Sequence, residues 1–151
     1  SVQNRRKSRV GHAFELYLSE IFTAHGLRFE QGGGKGFTTE NNSKPDFIFP
    51  GFKSYHNPLF PTEHLHMLGA KTTCKDRWRQ VLSEADKISS KHLVTLEAAI
   101  SERQTTEMQS QNLQLVIPAD IHSTYTPSQA DWLLTLSQFI DLIKFPSPRK
   151  H

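Results

Sequence analysis

The sequence has one cysteine, Cys74, too few for an internal disulfide and too few for a Cys-rich zinc site. A lone thiol fits a reducing compartment. No histidine stands near Cys74 in sequence to activate it, so the residue reads as packed and inert. No apolar run approaches the ~20 residues a membrane span needs, which removes the membrane as a partner. Internal repeats and low-complexity tracts are missing as well. Gly32-Gly33-Gly34-Lys35-Gly36 is glycine-rich but lacks the G-x-x-x-x-G-K-[ST] spacing of a phosphate-cradling loop; a flexible hairpin connection is the better reading. Charge of one sign is also scarce: 18 basic against 15 acidic residues leave +3, with a pI near 9.1.

What is present suits a globular protein. The 151 residues, 36% hydrophobic and 22% charged, predict one domain with a single sizeable core. The positive excess is local, in Arg5, Arg6, Lys7 and Arg9, and predicts a basic N-terminal arm over 1–9 that suits a polyanion or plain solvent equally. The chain opens on Ser rather than Met, which is read as a fragment of a longer protein or a trimmed tag.

Val10 to His25 reads as a helix with Val10, Phe14, Tyr17, Leu18 and Ile21 on one face. Glu15 and Glu20 both flank that face, roughly 110° from its centre, so periodicity leaves the two acids equivalent. Leu27 to Gln31 reads as a strand paired through the glycine loop, and Pro45 to Pro50 as the next. Gly51 to His66 reads as a surface or DNA-facing loop carrying Phe52, Tyr55 and Phe60. Its His56, His64 and His66 have no cysteine or second spaced pair to make a zinc site. Met67 to Thr73 is a strand, and Asp76 to Ile88 a helix with Trp78, Val81, Leu82, Ala85 and Ile88 inward and Arg77, Gln80 and Glu84 along one flank. A strand over 92–98, a helix from Ser101 to Gln109 with Gln104 at its capping-box position, a strand over 113–119 and a long helix over 128–144 follow. On that last helix Trp132, Leu133, Leu136, Phe139, Ile140 and Ile143 point inward; the tail over 145–151 reads as loose. The order α-β-β-β-α-β-α-β-α predicts an α/β fold with one mixed central sheet flanked by helices.

Three charged side chains stand at the ends of short apolar runs. Asp46 opens Phe47-Ile48-Phe49, Lys71 closes Met67-Leu68-Gly69-Ala70, and Glu84 lies on the following predicted helix. Two acids and a lysine on neighbouring elements are the parts for phosphodiester hydrolysis: the acids hold Mg²⁺, and the lysine offsets charge that develops on the phosphate.

The runs Lys44-Pro45-Asp46-Phe47-Ile48-Phe49-Pro50 and Ala70-Lys71-Thr72-Thr73-Cys74-Lys75-Asp76-Arg77-Trp78-Arg79-Gln80 carry a resemblance. The chain resembles the C-terminal catalytic domain of EcoRII-type restriction endonucleases, within the PD-(D/E)XK nuclease superfamily, from about Arg5 to the end of the last helix. The resemblance implies a restriction-endonuclease-like core with Asp46 and Glu84 as Mg²⁺ ligands and Lys71 assisting the attacking water. The superfamily's usual acid two residues before the lysine is Gly69 here; by resemblance Glu84 replaces it. Gly11-His12-Ala13-Phe14-Glu15 is similar to the first-helix segment that supplies a further acid, which favours Glu15 over Glu20. Lys75-Asp76-Arg77 stands where this branch reads its outer C·G pairs, with donors for guanine O6 and N7 and an acceptor for cytosine N4. The family also implies double-stranded DNA as substrate, a palindrome of the CC(A/T)GG or CCNGG kind cut with 5′ overhangs, a homodimer, a prokaryotic cytoplasm, and an N-terminal effector domain outside this chain. Two alternatives stand beside this reading: a PD-(D/E)XK nuclease of repair or another defence system, and a DNA-binding module without cleavage.

Overall fold

The computed structural model describes residues 2–146, with the side chains of residues 2–8 and of Asp76 outside that description. Four strands make one sheet in the order β1-β2-β3-β4: β1 Phe47–Phe49, β2 His66–Lys71, β3 Lys91–Thr95 and β4 Leu113–Val116. β1 runs antiparallel to β2, pairing Phe47 with Leu68, whereas β2–β3 and β3–β4 are parallel. Parallel neighbours need crossovers, and the residues after β2 and β3 supply them.

Alternation along the strands sorts the core into two layers. Ile48, Met67, Leu93 and Leu115 face one side, with Phe52, Tyr55, Trp78, Val81 and Met108. Phe47, Phe49, Leu68, Val94 and Val116 face the other, against α1 Val2–Ala24 and α5 Leu136–Lys144. A sheet covered on both faces explains why β1 is Phe-Ile-Phe with all three residues buried. Phe22 of α1 gathers the second layer, with ring centroids 5.3 Å from Phe47, 5.4 Å from Phe49 and 6.1 Å from Phe139.

Several expectations need correction. The first helix begins at Val2 rather than Val10 and absorbs the predicted arm; the side chains of Arg5, Arg6 and Lys7 lie outside the described residues. Its buried stripe is Phe14, Leu18 and Phe22, while Val10 and Tyr17 are 54% and 59% exposed. Tyr17 sits roughly 100° from the middle of that stripe, and Val10 lies a turn beyond the part of the helix that meets the sheet. The predicted strand over 27–31 makes only the bridge Glu30–Ile48, and the glycine segment closes on itself through Gly33 N–H to Phe37 O and Phe37 N–H to Gly34 O.

The segment after β1 is not a plain surface loop. It holds the short helix α2 Phe52–Tyr55, whose two aromatics are fully buried; the Tyr55 hydroxyl donates to Glu40 Oε1 at 2.5 Å. The helix expected over 76–88 is a 3₁₀ helix, Lys75–Ser83. Three residues per turn place Trp78 and Val81 on one face as well as an α-helix does, so the apolar spacing is satisfied by either. The long last helix is two, α4 Pro127–Trp132 and α5, each opened by a capping box, Thr126 with Gln129 and Thr135 with Gln138. Between them Leu134 pairs with the end of β4, donating to Leu115 O and accepting from Ile117 N–H. α3 Glu102–Ser110 follows its predicted cap, with Ser101 Oγ accepting from Gln104 N–H at 3.2 Å. Of the predicted loose tail, residues 147–151 lie outside the description. Among the described residues no helix is long and apolar enough to cross a membrane.

Candidate active site

Asp46 ends the antiparallel ladder of β1 and β2. Its Oδ2 accepts the Ala70 N–H at 2.8 Å, which fixes the carboxylate one residue from Lys71 at the end of β2. By strand alternation Asp46 and Ile48 share a face, as do Met67, Gly69 and Lys71, and both sets face the layer that holds the 3₁₀ run. Burial raises the Asp46 carboxyl above its ordinary range, while the Ala70 N–H and Lys71 oppose that rise.

Glu84 follows the 3₁₀ run as its extended C-terminal residue (φ −92°, ψ 143°) and lies off any helix. The predicted flank of Arg77, Gln80 and Glu84 is therefore not formed: Gln80 eclipses Arg77 at three residues per turn, and Glu84 stands beyond the run. Another device holds Glu84 in place. Lys91 is buried and donates through Nζ to Ala85 O at 3.1 Å and Ile88 O at 2.5 Å, tying down the turn that starts with Ala85 at φ 54°. Burial and the nearby Asp46 push the Glu84 carboxyl up to about 7, against the pull of Lys71 and Lys91.

Gly69, where the resemblance leads one to expect an acid, is closely packed. A methyl group on Gly69 would stand 3.0 Å from Val81 Cγ2 and 3.4 Å from Leu93 Cδ1. The space an acid at this position needs is filled by Val81, and Glu84 enters from the chain three residues later.

The two acids of α1 differ in their surroundings. Measured from the true stripe, Glu15 lies roughly 60° from Leu18 and Glu20 roughly 160° away. Glu15 is half-buried and Glu20 exposed. Burial and then Asp46 raise the Glu15 carboxyl, and His12 and Lys71 lower it. The structure thus brings Asp46, Lys71, Glu84 and Glu15 into one electrostatic neighbourhood and leaves Glu20 out.

Among the described residues no three His, Cys, Asp or Glu side chains converge tightly enough to cage an ion by themselves. The donor set nevertheless suits a hard divalent cation. Such an ion takes one or two carboxylates and completes its shell with water and phosphate oxygens, and three partly buried acids around one lysine leave negative charge in excess. Cys74, by contrast, is buried and its thiol is pushed up to about 12 by burial and Glu97, so it stays protonated.

Of the proposed reading run, Lys75 and Arg77 are exposed at the start of the 3₁₀ helix; the side chain of Asp76 lies outside the described residues. Two residues here escaped sequence reasoning, Lys91 and Glu97. Lys91 carries no local signal beyond a lysine heading an apolar strand, which is itself unusual. Glu97 acts on residues more than twenty positions away.

The chain is similar to several known proteins. The family model described as EcoRII C terminal matches residues 1–140. The type II restriction enzyme EcoRII of Escherichia coli is 49% identical over 140 residues, covering 93% of this chain and 34% of the relative. The type II restriction enzyme SsoII of Shigella sonnei is 29% identical over 117 residues, covering 74% of this chain and 37% of the relative. The chain therefore spans about a third of the length of these curated relatives. Metal-depleted Ecl18kI in complex with uncleaved DNA superposes with a TM-score of 0.78 at 21% identity over 99% of this chain and 51% of that one. The restriction endonuclease PspGI–substrate DNA complex gives 0.74 at 17% identity over 95% and 63%. The fold is that of restriction endonucleases.

Proposed function

The chain belongs to the EcoRII C-terminal family, and from that premise we propose that residues 1–151 form one catalytic domain of a type II restriction endonuclease. It hydrolyses phosphodiesters in both strands of DNA at a short palindrome of the CC(A/T)GG or CCNGG kind and leaves 5′ overhangs. The observation that carries this reading is the meeting of Asp46, Glu84 and Glu15 around Lys71, with each acid's affinity for protons raised. Acids that resist ionisation when alone gain most from a cation.

The cofactor is Mg²⁺, with Asp46 and Glu84 as its ligands and Glu15 as a further acid. When bound, Mg²⁺ polarises the scissile phosphate and acidifies water at the site. The chain's own residues do the remainder. The Ala70 N–H orients the Asp46 carboxylate. Lys91 holds the turn that presents Glu84. Lys71, on the last residue of a strand with both neighbours paired, offers a fixed positive charge to the phosphate as negative charge grows. Lys75, Asp76 and Arg77 read the outer C·G pairs in the major groove. A two-fold site needs two copies of one centre, so the working form is a C2 homodimer on double-stranded DNA.

The test is digestion of a plasmid of known sequence with Mg²⁺ and mapping of both cut ends. Reproducible staggered cuts at one palindrome, by a protein that sediments as a dimer with the duplex, are expected. Random nicking of single strands by a monomer would favour a repair nuclease instead.

A further inference from the structure

Glu97 stands two residues beyond β3, outside the candidate active site, and one of its oxygens is used three times. Oε2 accepts the Lys75 N–H at 2.8 Å, the Cys74 N–H at 3.2 Å and the Cys74 thiol at 3.5 Å. The start of a helix leaves N–H groups without partners, and a side chain at the N-cap usually takes one. Here the N-cap is Cys74, whose side chain makes no such bond, and the cap comes from the chain just beyond β3. A carboxylate also suits the positive end of the run's dipole.

The rest of this corner fixes Glu97 in turn. Its own N–H donates to Thr95 Oγ1 at 3.2 Å, Thr95 Oγ1 donates to Thr72 O at 3.2 Å, and the Tyr125 hydroxyl donates to Glu97 O at 2.6 Å. The Arg77 N–H donates back to Cys74 O, so the residue Glu97 grips is the one from which Arg77 hangs. Lys75 has a positive φ of 26°, a conformation that a non-glycine residue holds only when its surroundings impose it. None of these bonds involves Asp46, Lys71 or Glu84.

We propose that Glu97 is a positioning residue for specificity: capping the 3₁₀ run from just beyond β3, it sets the pose in which Lys75 and Arg77 meet base edges. This rests on the reading of Lys75-Asp76-Arg77 as the base-reading run. Loss of the cap leaves two N–H groups without a partner, frees the strained Lys75 backbone and shifts Arg77, while the backbone positions of the cutting groups are held by β2 and by Lys91.

The experiment is competition binding with Ca²⁺ in place of Mg²⁺, using the duplex mapped by digestion and a scrambled duplex. Glu97→Ala is expected to weaken cognate binding about tenfold and scrambled binding less than about twofold. Glu97→Gln keeps an oxygen that accepts both N–H groups and is expected to stay within about threefold of the parent on cognate duplex. Glu97→Asp keeps the charge but shortens the reach and is expected to lose cognate preference with the fold intact by thermal melting, which serves if the alanine variant does not fold. Arg77→Ala separates the two layers. If it keeps full cognate preference, the reading of the run fails, and the inference about Glu97 with it. If it loses preference while Glu97→Ala and Glu97→Asp retain it, only the inference about Glu97 is overturned. Equal losses on both duplexes in all three Glu97 variants would reduce Glu97 to a fold element and overturn the inference too.

Discussion

At the C-terminal end of β2 stand Asp46 and Lys71, and Asp46, Lys71 and Lys91 all act on Glu84. At the other, His66 and His92 face an open cavity of about 740 Å³ together with Gln114, Gln138 and Asp141. Burial acts on both ends: it raises the Asp46 and Glu84 carboxyls and lowers the His66 and His92 imidazoles, His92 to about 4. The ends differ in what opposes burial. Around the acids, the Ala70 N–H, Lys71 and Lys91 pull back toward ionisation. At His92, His66 pushes the same way as burial, and among the described residues the buried Nδ1 finds no hydrogen-bond partner. At one end the acids thus keep opposing partners beside them. At the other the His92 ring lies against Phe139 at 5.2 Å.

The largest effect should separate the two ends by activity. Lys71→Ala or Glu84→Ala is expected to lower the cleavage rate by about 10³-fold or more, since each removes a charge acting on the transition state. His92→Phe should change that rate by less than about twofold. Gel-based cleavage at saturating Mg²⁺ measures both, and a folded His92→Phe protein that does not cut would break the comparison.

Glu15→Ala is next, with an expected loss of about 10- to 100-fold, as for a supporting ligand. Glu20→Ala on the same helix should leave the rate unchanged. The reverse order would return the helix acid to the exposed side.

The third effect is on stability. A histidine whose folded pKa lies below its unfolded value of 6.5 contributes its full stability above 6.5 and loses it as pH falls through the folded value. The unfolded chain binds the proton first, so stability falls as pH drops from about 6.5 toward 4. Comparing urea midpoints of the parent and His92→Phe across this range should show a loss of about 1–3 kcal/mol that the variant lacks.

The smallest effect has the opposite sign. Glu84 binds its proton more tightly folded than unfolded, so its contribution is present below pH 4.5 and lost as pH rises through about 7. With a chelator present, Glu84→Gln should be more stable than the parent at pH 8 and equal to it at pH 4. Discounted for its partial exposure, the gain is on the order of 1 kcal/mol. Mg²⁺ should raise the parent's melting temperature and leave that of Glu84→Gln nearly unchanged.

The sheet, with Asp46 and Lys71 at its strand ends, was legible because apolar runs end in charges. Phe47-Ile48-Phe49 after Asp46 and Met67 to Ala70 before Lys71 each imply a buried strand with a polar mouth. Glu15 and Glu20 stayed equivalent because Val10 and Tyr17 were counted in a stripe that Phe22 completes instead. The 3₁₀ run was hidden because Trp78 and Val81 fit two periods. The break before α5 did have a signal: Thr135 and Gln138 form a capping box, masked by leucines at 133, 134 and 136 that continue the apolar pattern. The Glu97 cap had none, since its partners lie 22 and 23 residues away.

Gly69 and Val81 together set what position 69 can hold. While position 69 is glycine, a branched side chain at 81 is free to close the gap, and burying it against Leu93 is favourable. With Val81 in place, the first carbon of any side chain at 69 stands 3.0 Å from Val81 Cγ2, so the valine has to give way. A smaller residue at 81 makes that room and opens a hole in the core. Whether a side chain can stand at 69 is thereby set by the packing of a single valine.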